Sequence, residues 1–518
     1  MKSKMMTPEA AALLIQDGDV VAQAGFIGSS LAETINKAVE RQFLETGHPC
    51  GLTLIFGAGQ GSREGHGCEH YSHDKMVRRV IGGHWGKCPK MGKLANENKI
   101  QAYNLPQGVI AQMYRDIAIK QGFTLSHVGL DTFVDPRLEG GKLNAVTKED
   151  LVKVVEIEGK ELLLYKHVPI DVCIIRGTYA DEKGNVTLKH EFAPMDATTL
   201  AQACKACGGK VIVQVKQIVS AGSLDPRLVK IPGIYVDALV VGSPEEHEQS
   251  IGTYYDPSVS GETHGFIQKQ TGTGLDSKKI VARRAALELY DGAVLNLGIG
   301  VPEYIAAVAV EENIYNDVTL TIESGVVGGI ALGGNQFGAA KNPEALIDHR
   351  QQFDFYDGGG IDLAFLGLAE ADSFGNVNVS KFGEFVAGCG GFINITQNAK
   401  KVFFCGTFTA GGLKTEITGG QLNIVEEGQK LKFVDAVQQI TFSAGYALKH
   451  GQPVMFITER AVFRLEKDGL HLIEIAPGIE PARDILPFME FEPVIDSGLR
   501  EMDPRIFSEQ PMGLKTLR

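Results

Sequence analysis

The chain has 518 residues, of which 44% are hydrophobic and 22% charged, a composition typical of globular proteins. Its net charge of −13 argues against a general affinity for nucleic acid. No apolar run approaches the ~20 residues needed to cross a bilayer, and the first residues lack the apolar segment of a signal peptide. We therefore expect a cytoplasmic protein of two to four domains, with neither nucleic acid nor membrane as a partner.

Metal and redox chemistry have weak support in the sequence. Eight cysteines are scattered along the chain, and only Cys204 and Cys207 form a CxxC pair. A denser group of possible ligands comprises His66, His70 and His73, with Cys68 among them. No matching group of cysteines or histidines occurs elsewhere, so the sequence predicts no metal site and favours a polar loop here.

Two halves of the chain resemble each other. The matching segments are 17–21 with 291–295, 53–59 with 319–325, and 171–186 with 362–377. The last pair aligns without gaps at an offset of 191 residues, which persists to Lys210 and Lys401. Apolar runs alternate with helix-like segments in both halves, which is typical of repeated βα units. The predicted fold is α/β, with two related open α/β domains and mainly parallel sheets fused in one chain.

The repeat also sets the expected domain boundaries. Gly, Ser, Thr and charged residues with little periodicity precede the second copy, and we place a linker at 246–276. The domains are then 1–245 and 277–518. The offset between copies falls from 266 residues before Gly57 to 191 at Asp171, so the first half carries about 75 extra residues between these positions.

One element of the repeat is a turn. Asp181 is followed by Gly184 and Asn185 in the first copy, and Asp372 by Gly375 and Asn376 in the second. Asp and Asn close turns with their side chains, and Gly supplies positive φ, so a structural role is favoured over a catalytic one.

Glu323 is the leading catalytic candidate. It follows the β-prone run 319–322 directly, and glycines are frequent just after it. A side chain at the carboxyl end of a parallel strand lies where open α/β folds bind ligands. The matching position in the first half is Gly57, so the scaffold itself does not need the carboxylate. This asymmetry favours a nucleophile.

Three Gly-rich segments in the second half are expected at strand ends. They are 296–302, 357–362 and 387–392. The first lacks the third glycine of a dinucleotide fingerprint, because Glu303 stands there, so a nicotinamide cofactor is not expected. A carboxylate among backbone amides suits acyl transfer, in which N–H groups stabilise an oxyanion. No G-x-S-x-G elbow competes with this interpretation.

Several longer motifs resemble those of the family I coenzyme A transferases, and within them the propionate/acetate CoA-transferases of broad short-chain specificity. These motifs are Gly83-His84-Trp85, Tyr103-Asn104 with Pro106-Gln107-Gly108, Thr132-Phe133-Val134-Asp135-Pro136-Arg137, Glu323-Ser324-Gly325, Tyr356-Asp357-Gly358-Gly359-Gly360, Phe404-Cys405-Gly406-Thr407 and Thr458-Glu459-Arg460. The resemblance covers nearly the whole chain.

The resemblance implies a CoA transferase-like fold and a ping-pong reaction. Glu323 would attack an acyl-CoA and then carry CoA as a glutamyl thioester. The oxyanion would be held by Gln107 and by the amide of Gly359 or Gly360. The residues expected to bind CoA are Gly298, Ile299, Gly300, Val301, Pro302, Gly388, Gly390 and Gly391. Coenzyme A is then a substrate, no cofactor is bound permanently, and a homo-oligomer, either a tetramer or a dimer, is expected.

Two other functions remain open at this point. An acyl-CoA hydrolase would use water in place of the acceptor acid, and a sensor on the same scaffold would bind a small ligand without turnover. The acids transferred, among acetate, propionate, butyrate and lactate, are not determined by these motifs.

Overall fold

A computed structural model of the protein describes residues 4–265 and 274–516. The described chain forms two compact units. Unit 1 comprises 4–265, 322–354 and 381–394, and unit 2 comprises 274–321, 355–380 and 395–516. No helix in the described ranges is both long enough and apolar enough to cross a membrane.

The two units follow contacts in space, whereas the boundaries 1–245 and 277–518 follow the repeat. Two segments of the second half, 322–354 and 381–394, belong to unit 1. Of the predicted linker 246–276, residues 266–273 lie outside the described ranges. The part up to Gly265 belongs to unit 1, where Ile251 N donates to Gly28 O at 2.8 Å. The domain boundaries stay a prediction.

The segment 4–265 contains twelve strands and five α-helices. The helices are α1 (Pro8–Ala12), α2 (Glu33–Thr46), α3 (Pro89–Asn96), α4 (Gln107–Ala118) and α5 (Ala197–Ala206). The strands are β1 (Val20–Gln23), β2 (Leu52–Phe56), β3 (Val77–Gly82), β4 (Gln101–Asn104), β5 (Phe123–Ser126), β6 (Val152–Ile157), β7 (Lys160–Lys166), β8 (Val172–Asp181), β9 (Val186–Thr187), β10 (Lys210–Val219), β11 (Val229–Ile231) and β12 (Ala238–Val241).

The segment 274–516 contains five further α-helices and twenty strands, many of them short. The helices are α6 (Ser277–Ala286), α7 (Glu303–Glu311), α8 (His349–Asp357), α9 (Phe392–Asn398) and α10 (Ala444–Lys449). The strands are β13 (Val294–Leu297), β14 (Thr319–Ile322), β15 (Val326–Val327), β16 (Ile330–Ala331), β17 (Ala340–Lys341), β18 (Ala345–Leu346), β19 (Leu363–Gly367), β20 (Glu370–Ala371), β21 (Val377–Asn378), β22 (Lys381–Phe382), β23 (Phe385–Val386), β24 (Lys401–Cys405), β25 (Thr409–Ala410), β26 (Lys414–Thr418), β27 (Gln421–Glu426), β28 (Lys430–Leu431), β29 (Val454–Ile457), β30 (Ala461–Glu466), β31 (Gly469–Ile475) and β32 (Val494–Glu501).

Unit 1 is built on a sheet whose parallel strands run in the order β12-β10-β8-β1-β2-β3-β4. All four residues of β1 and all five of β2 are buried, as expected for strands covered by helices on both faces. Leu54, Val80, Trp85 and Ile174 share one buried core cluster. The extra segment between Gly57 and Asp171 supplies β3, α3, β4 and α4, together with the antiparallel sheet β5-β7-β6.

Unit 2 is built on parallel strands in the order β14-β13-β19-β24-β29, followed by β30 and β31, which pair antiparallel, and β32. Strand β14 reaches Ile322, where the chain passes into unit 1. Phe365 of β19 and Phe403 of β24 stack with ring centroids 4.7 Å apart. These buried rings contribute to the core of unit 2.

The strand registers confirm the two related α/β folds and their mainly parallel sheets. Val20 pairs with Thr53 in the first copy, and Val294 pairs with Thr319 in the second. The carboxylate of Asp171 accepts the N–H of Val20 at 2.9 Å, and that of Asp362 accepts the N–H of Val294 at the same distance. The two copies of the sequence repeat therefore make the same side-chain hydrogen bond at equivalent positions.

Candidate active site

Glu323 lies directly after β14, at the strand end predicted for it. Its side chain is partly exposed, between the buried residues Ile322 and Ser324. The hydroxyl of Ser324 donates to Gly338 O, which fixes the chain just beyond the glutamate. A carboxylate in this position can reach solvent while its backbone is held by a buried turn.

The segment after Glu323 turns into a short antiparallel pairing between β15 and β18. Val326 pairs with Leu346, and Ile347 N donates to Gly325 O at 2.9 Å. His349 lies two residues beyond Ile347, at the start of α8, and belongs to none of the motifs found in the sequence.

Gln107 is the first residue of α4 and is 2% exposed. Its side-chain Nε2 lies 2.7 Å from Nε2 of His349, and Nδ1 of His349 lies 2.9 Å from Oδ2 of Asp196. His349 is fully buried and Asp196 is 4% exposed. The three side chains form a hydrogen-bonded chain inside unit 1.

The second carboxylate oxygen of Asp196 lowers the stability of the folded protein. Its Oδ1 is buried without a hydrogen-bond partner among the described residues. A buried acceptor left unpaired costs about 1–3 kcal/mol of folding free energy. Native proteins keep few such groups, and each calls for a specific explanation.

Gly57, the counterpart of Glu323 in the repeat, lies against the same side chains. A Cβ added at Gly57 would be 3.6 Å from Cε1 of His349 and 3.7 Å from Gln107 O. Gly83 packs against the backbone of Gly57 so closely that a Cβ added at Gly83 would be 2.0 Å from Gly57 O. Gly57 therefore leaves space beside Gln107 and His349, whereas Gly83 has no room for a side chain.

The Gly-rich loop 387–391 is held against the first-half motif. Ala387 O accepts the N–H groups of Trp85 and Gly86 at 2.7 and 2.8 Å, and Gly390 O accepts that of Gln107 at 2.9 Å. Gly388 has a φ of +80°, and an added Cβ would be 2.9 Å from Trp85 N, so only glycine fits there. The loop containing Gly388, Gly390 and Gly391 is thus next to Gln107.

His84 lies beside this loop. A Cβ added at Gly390 would be 3.8 Å from its ring. Burial, with the charges of Lys87 and Arg63, lowers the pKa of His84 to about 4. The imidazole is therefore neutral at pH 7 and offers the site a neutral ring rather than a cation.

Gly359 and Gly360 belong to unit 2, just after α8. The N–H of Gly359 donates to Tyr356 O at 2.9 Å, and that of Gly360 donates to Phe355 O at 3.0 Å. Both amides are thus used at the end of the helix in this structure.

The loop Gly298–Pro302 also belongs to unit 2 and connects β13 with α7. Gly298 N donates to Phe365 O at 2.8 Å, which ties the loop to the neighbouring strand. Ile299 is 51% exposed, and Val301 and Pro302 lead into the helix. The N–H of Gly300 donates to Oε1 of Glu303 at 3.1 Å, which fixes the end of the loop against the first turn of α7.

The histidine-rich segment has a structural explanation. His70 contacts Glu40 through Nδ1 at 2.6 Å and Glu33 through Nε2 at 2.9 Å, and His73 contacts Glu40 at 2.7 Å. Both ring nitrogens of His70 are thus taken up by carboxylates of α2. These bonds raise the pKa of His70 despite its burial.

One other group within the described ranges has the spacing of metal ligands. It comprises Asp17, His48 and Cys50, at the surface. The Asp17 carboxylate already pairs with Nδ1 of His48 at 2.7 Å and accepts the N–H of Cys50 at 2.8 Å. Such local pairing is common at protein surfaces without an ion.

Comparison with known proteins agrees with the motifs and the fold. A model of the family "Coenzyme A transferase" matches residues 4–242. Acetate CoA-transferase YdiF of Escherichia coli (strain K12) is 45% identical over 93% of this chain and 91% of the relative. Caffeate CoA-transferase of Acetobacterium woodii is 43% identical over 99% of both chains.

Solved structures include a similar protein over the full length. The crystal structure of acyl-CoA transferase YdiF from E. coli O157:H7, described as a thioester complex with CoA, superposes with a TM-score of 0.93. It is 43% identical and covers 99% of this chain and 97% of the other. The chain belongs to the coenzyme A transferase family and is a CoA-transferase enzyme.

Proposed function

We propose that this CoA-transferase moves coenzyme A between short-chain acyl-CoA thioesters and free carboxylic acids through a glutamyl-CoA thioester on Glu323. The observation that carries the proposal is the place of Glu323 at the end of β14, where the equivalent strand end in the first copy has Gly57. The similar E. coli protein is described as a thioester complex with CoA, which supports a covalent route.

The proposed reaction balances without water or ATP. A carboxylate oxygen of Glu323 attacks the acyl carbonyl, the C–S bond breaks, CoA leaves as a thiolate, and the acyl group remains on Glu323 as a mixed anhydride. The thiolate then attacks the Glu323 carbonyl and releases the donor acid. An acceptor carboxylate reverses these steps, so the same number of thioester bonds is present before and after the transfer.

Each attack creates an oxyanion that needs hydrogen-bond donors. We assign this role to the side-chain amide of Gln107, which is buried beside His349. Gly359 and Gly360 remain candidates, but their N–H groups are engaged with Tyr356 and Phe355, so Gln107 is the better supported donor. Loss of one such donor typically costs about 3 kcal/mol of transition-state stabilisation.

We propose that CoA lies along Gly298–Pro302 and the loop of Gly388, Gly390 and Gly391. The exposed Ile299 suits the apolar parts of the CoA arm, and backbone amides of glycine loops suit its phosphates. Coenzyme A is a substrate in this proposal, not a resident cofactor.

The acids proposed are acetate, propionate, butyrate and lactate. The relative named for acetate supports small acids, and the one named for caffeate makes an aromatic acid a necessary arm of the test. We also propose a homo-oligomer, either a dimer or a tetramer, which light scattering of the purified protein would measure directly.

Borohydride reduction tests the covalent intermediate. The protein is incubated with acetyl-CoA without an acceptor and then with sodium borohydride, which reduces a glutamyl thioester to an alcohol. We expect loss of activity and a mass change on the peptide that contains Glu323. Full survival of activity would count against the thioester.

A matrix of acyl-CoA donors against carboxylic acids tests the reaction class and the substrates. We expect parallel lines in double-reciprocal plots of initial rates, as in ping-pong transfer. CoA release at a rate that is indifferent to acetate would indicate a hydrolase instead.

A further inference from the structure

The chain of hydrogen bonds behind Gln107 joins three separate segments of unit 1. Gln107 begins α4, His349 begins α8, and Asp196 precedes α5. The contacts are 2.7 Å between Gln107 Nε2 and His349 Nε2, and 2.9 Å between His349 Nδ1 and Asp196 Oδ2. Residues so distant in sequence come together only through the fold, which holds all three in a buried place.

The amide nitrogen of Gln107 faces the ring and can only donate, so Nε2 of His349 accepts from it and Nδ1–H of the ring donates to Asp196. One N–H of the Gln107 amide then remains to face a substrate oxygen. The imidazole would thus fix the rotation of the amide.

Asp196 is used in an unusual way for its position. It occupies the N-cap of α5, where an aspartate normally accepts an N–H of the first helical turn, yet it makes no side-chain cap bond. Its Oδ2 faces His349 instead, and its Oδ1 is buried without a partner among the described residues. The carboxylate of Asp196 therefore contacts the histidine and does not cap the helix.

The histidine ring is held from other directions as well. His349 N donates to Met195 O at 3.2 Å, and the ring of Phe353 lies edge-on to the imidazole at 5.1 Å. Gln107 N is held by Gly390 O at 2.9 Å. Backbone hydrogen bonds thus hold the main chain at both Gln107 and His349, and Phe353 packs against the imidazole.

We propose that His349 and Asp196 are positioning residues that orient the side-chain amide of Gln107 toward the reacting carbonyl. This inference rests on the proposed function of Gln107 as an oxyanion donor. His349 acts through Gln107 and does not itself touch the substrate, and Asp196 acts through His349.

A pair of conservative variants separates the two bonds of the ring. The amide of His349→Gln can reach the place of Nε2 and contact Gln107, whereas that of His349→Asn can reach the place of Nδ1 and contact Asp196. We expect His349→Asn to lower kcat on the order of 10-fold, with KM for the acyl-CoA nearly unchanged, and His349→Gln to recover part of that loss. Equal kcat in the two variants would contradict the proposal.

A double-mutant cycle tests whether His349 acts through Gln107. Gln107→Ala should lower kcat on the order of 100-fold, and adding His349→Asn to it should have no further effect. Losses that multiply in the double variant would show an independent role and overturn the inference.

The control is a buried histidine with a similar pair of contacts elsewhere in unit 1. His70→Asn, matched to His349→Asn, removes the contact of Nε2 with Glu33, and it should lower the thermal unfolding temperature without changing kcat. If the wild-type protein does not transfer CoA from acetyl-CoA to propionate, the proposed function is contradicted. Transfer activity with a multiplicative cycle would contradict only the positioning role.

Discussion

The two copies of the α/β scaffold end their equivalent strands with different side chains. Strand β2 is followed by Gly57, and β14 is followed by Glu323. Further along the sheet, Arg176 pairs with Gln214 in the first copy, whereas Gly367 pairs with Cys405 at the same register in the second. The hydrogen bonds that shape the strands are shared, and the side chains at their ends are not.

In the first copy, buried polar side chains contact one another at this end of the strands. Arg176 pairs with Glu191 at 3.2 Å, and Gln214 lies 3.1 Å from His247. In the second copy, a Cβ added at the matching Gly367 would have Ile299 O, at 3.8 Å, as its nearest neighbour among the described residues outside the adjoining chain. The position filled by a buried arginine in the first copy is thus occupied in the second by a glycine, which leaves space beside Ile299.

The largest effect is expected when Glu323 of the second copy is replaced by glycine, the residue at the equivalent position of the first. Glu323→Gly should lower CoA transfer at least about 1,000-fold, because the covalent carrier is lost. Initial rates with acetyl-CoA and propionate measure this loss, and circular dichroism checks the fold. Turnover that stays within a few-fold of wild type would remove Glu323 from the mechanism.

A second exchange tests the space beside Ile299. Gly367→Arg places the first copy's side chain beside Ile299, and we expect about 100-fold lower kcat/KM for the acyl-CoA through weaker binding. Gly367→Ala is the matched control, since its Cβ meets nothing closer than 3.8 Å. If the arginine variant binds acyl-CoA as tightly as the alanine variant, CoA does not use this space.

The buried polar side chains of the first copy should make stability depend on pH. Burial, with the charges of Arg176 and Lys216, lowers the pKa of His247 to about 2. The unfolded chain takes up this proton near pH 6.5 and the native protein does not, so stability falls as pH falls below about 6.5. His247→Asn should remove about 2 kcal/mol of the loss between pH 7 and pH 5.

Urea unfolding at the two pH values measures this difference. The wild type and His247→Asn should converge in stability as the pH falls toward 5. Parallel pH profiles would mean that the histidine takes up its proton at the same pH in the native protein as in the unfolded chain.

The smallest contrast is expected at the shared turns. Asp181 accepts the N–H of Asn185 at 3.0 Å, and Asp372 accepts that of Asn376 at 2.9 Å. Asp181→Ala and Asp372→Ala should each destabilise the protein by about 1 kcal/mol, because partly buried N–H groups lose their acceptor. Thermal unfolding of both variants should show similar shifts, and a large effect in one copy alone would argue that the turns have diverged in role.

Much of the scaffold could be predicted from the sequence because it depends on local patterns. The apolar run 53–56 forms a strand parallel to β1 in the first copy, and 319–322 forms one parallel to β13 in the second. The aspartate turns are closed by side-chain hydrogen bonds, as their residue types predict. The strand end that presents Glu323 followed from the same periodicity.

The rest of the site depends on contacts across long stretches of chain. His349 and Asp196 are 153 residues apart and carry no motif, so nothing in their neighbours announces a bond between them. The sequence favoured a polar loop for the histidines near position 70, but it did not identify Glu33 and Glu40 of α2 as their partners. Pair contacts of this kind are set by how the elements pack.

The sequence by itself determined the duplicated α/β scaffold, the single glutamate at one of two equivalent strand ends, and the family. These features are written in short-range periodicity, turn residues and motifs. Only the tertiary structure decided that segments 322–354 and 381–394 join unit 1, and that His349 and Asp196 stand behind Gln107. The physical reason is that a buried hydrogen bond between distant residues forms only when the packing of whole elements brings donor and acceptor together.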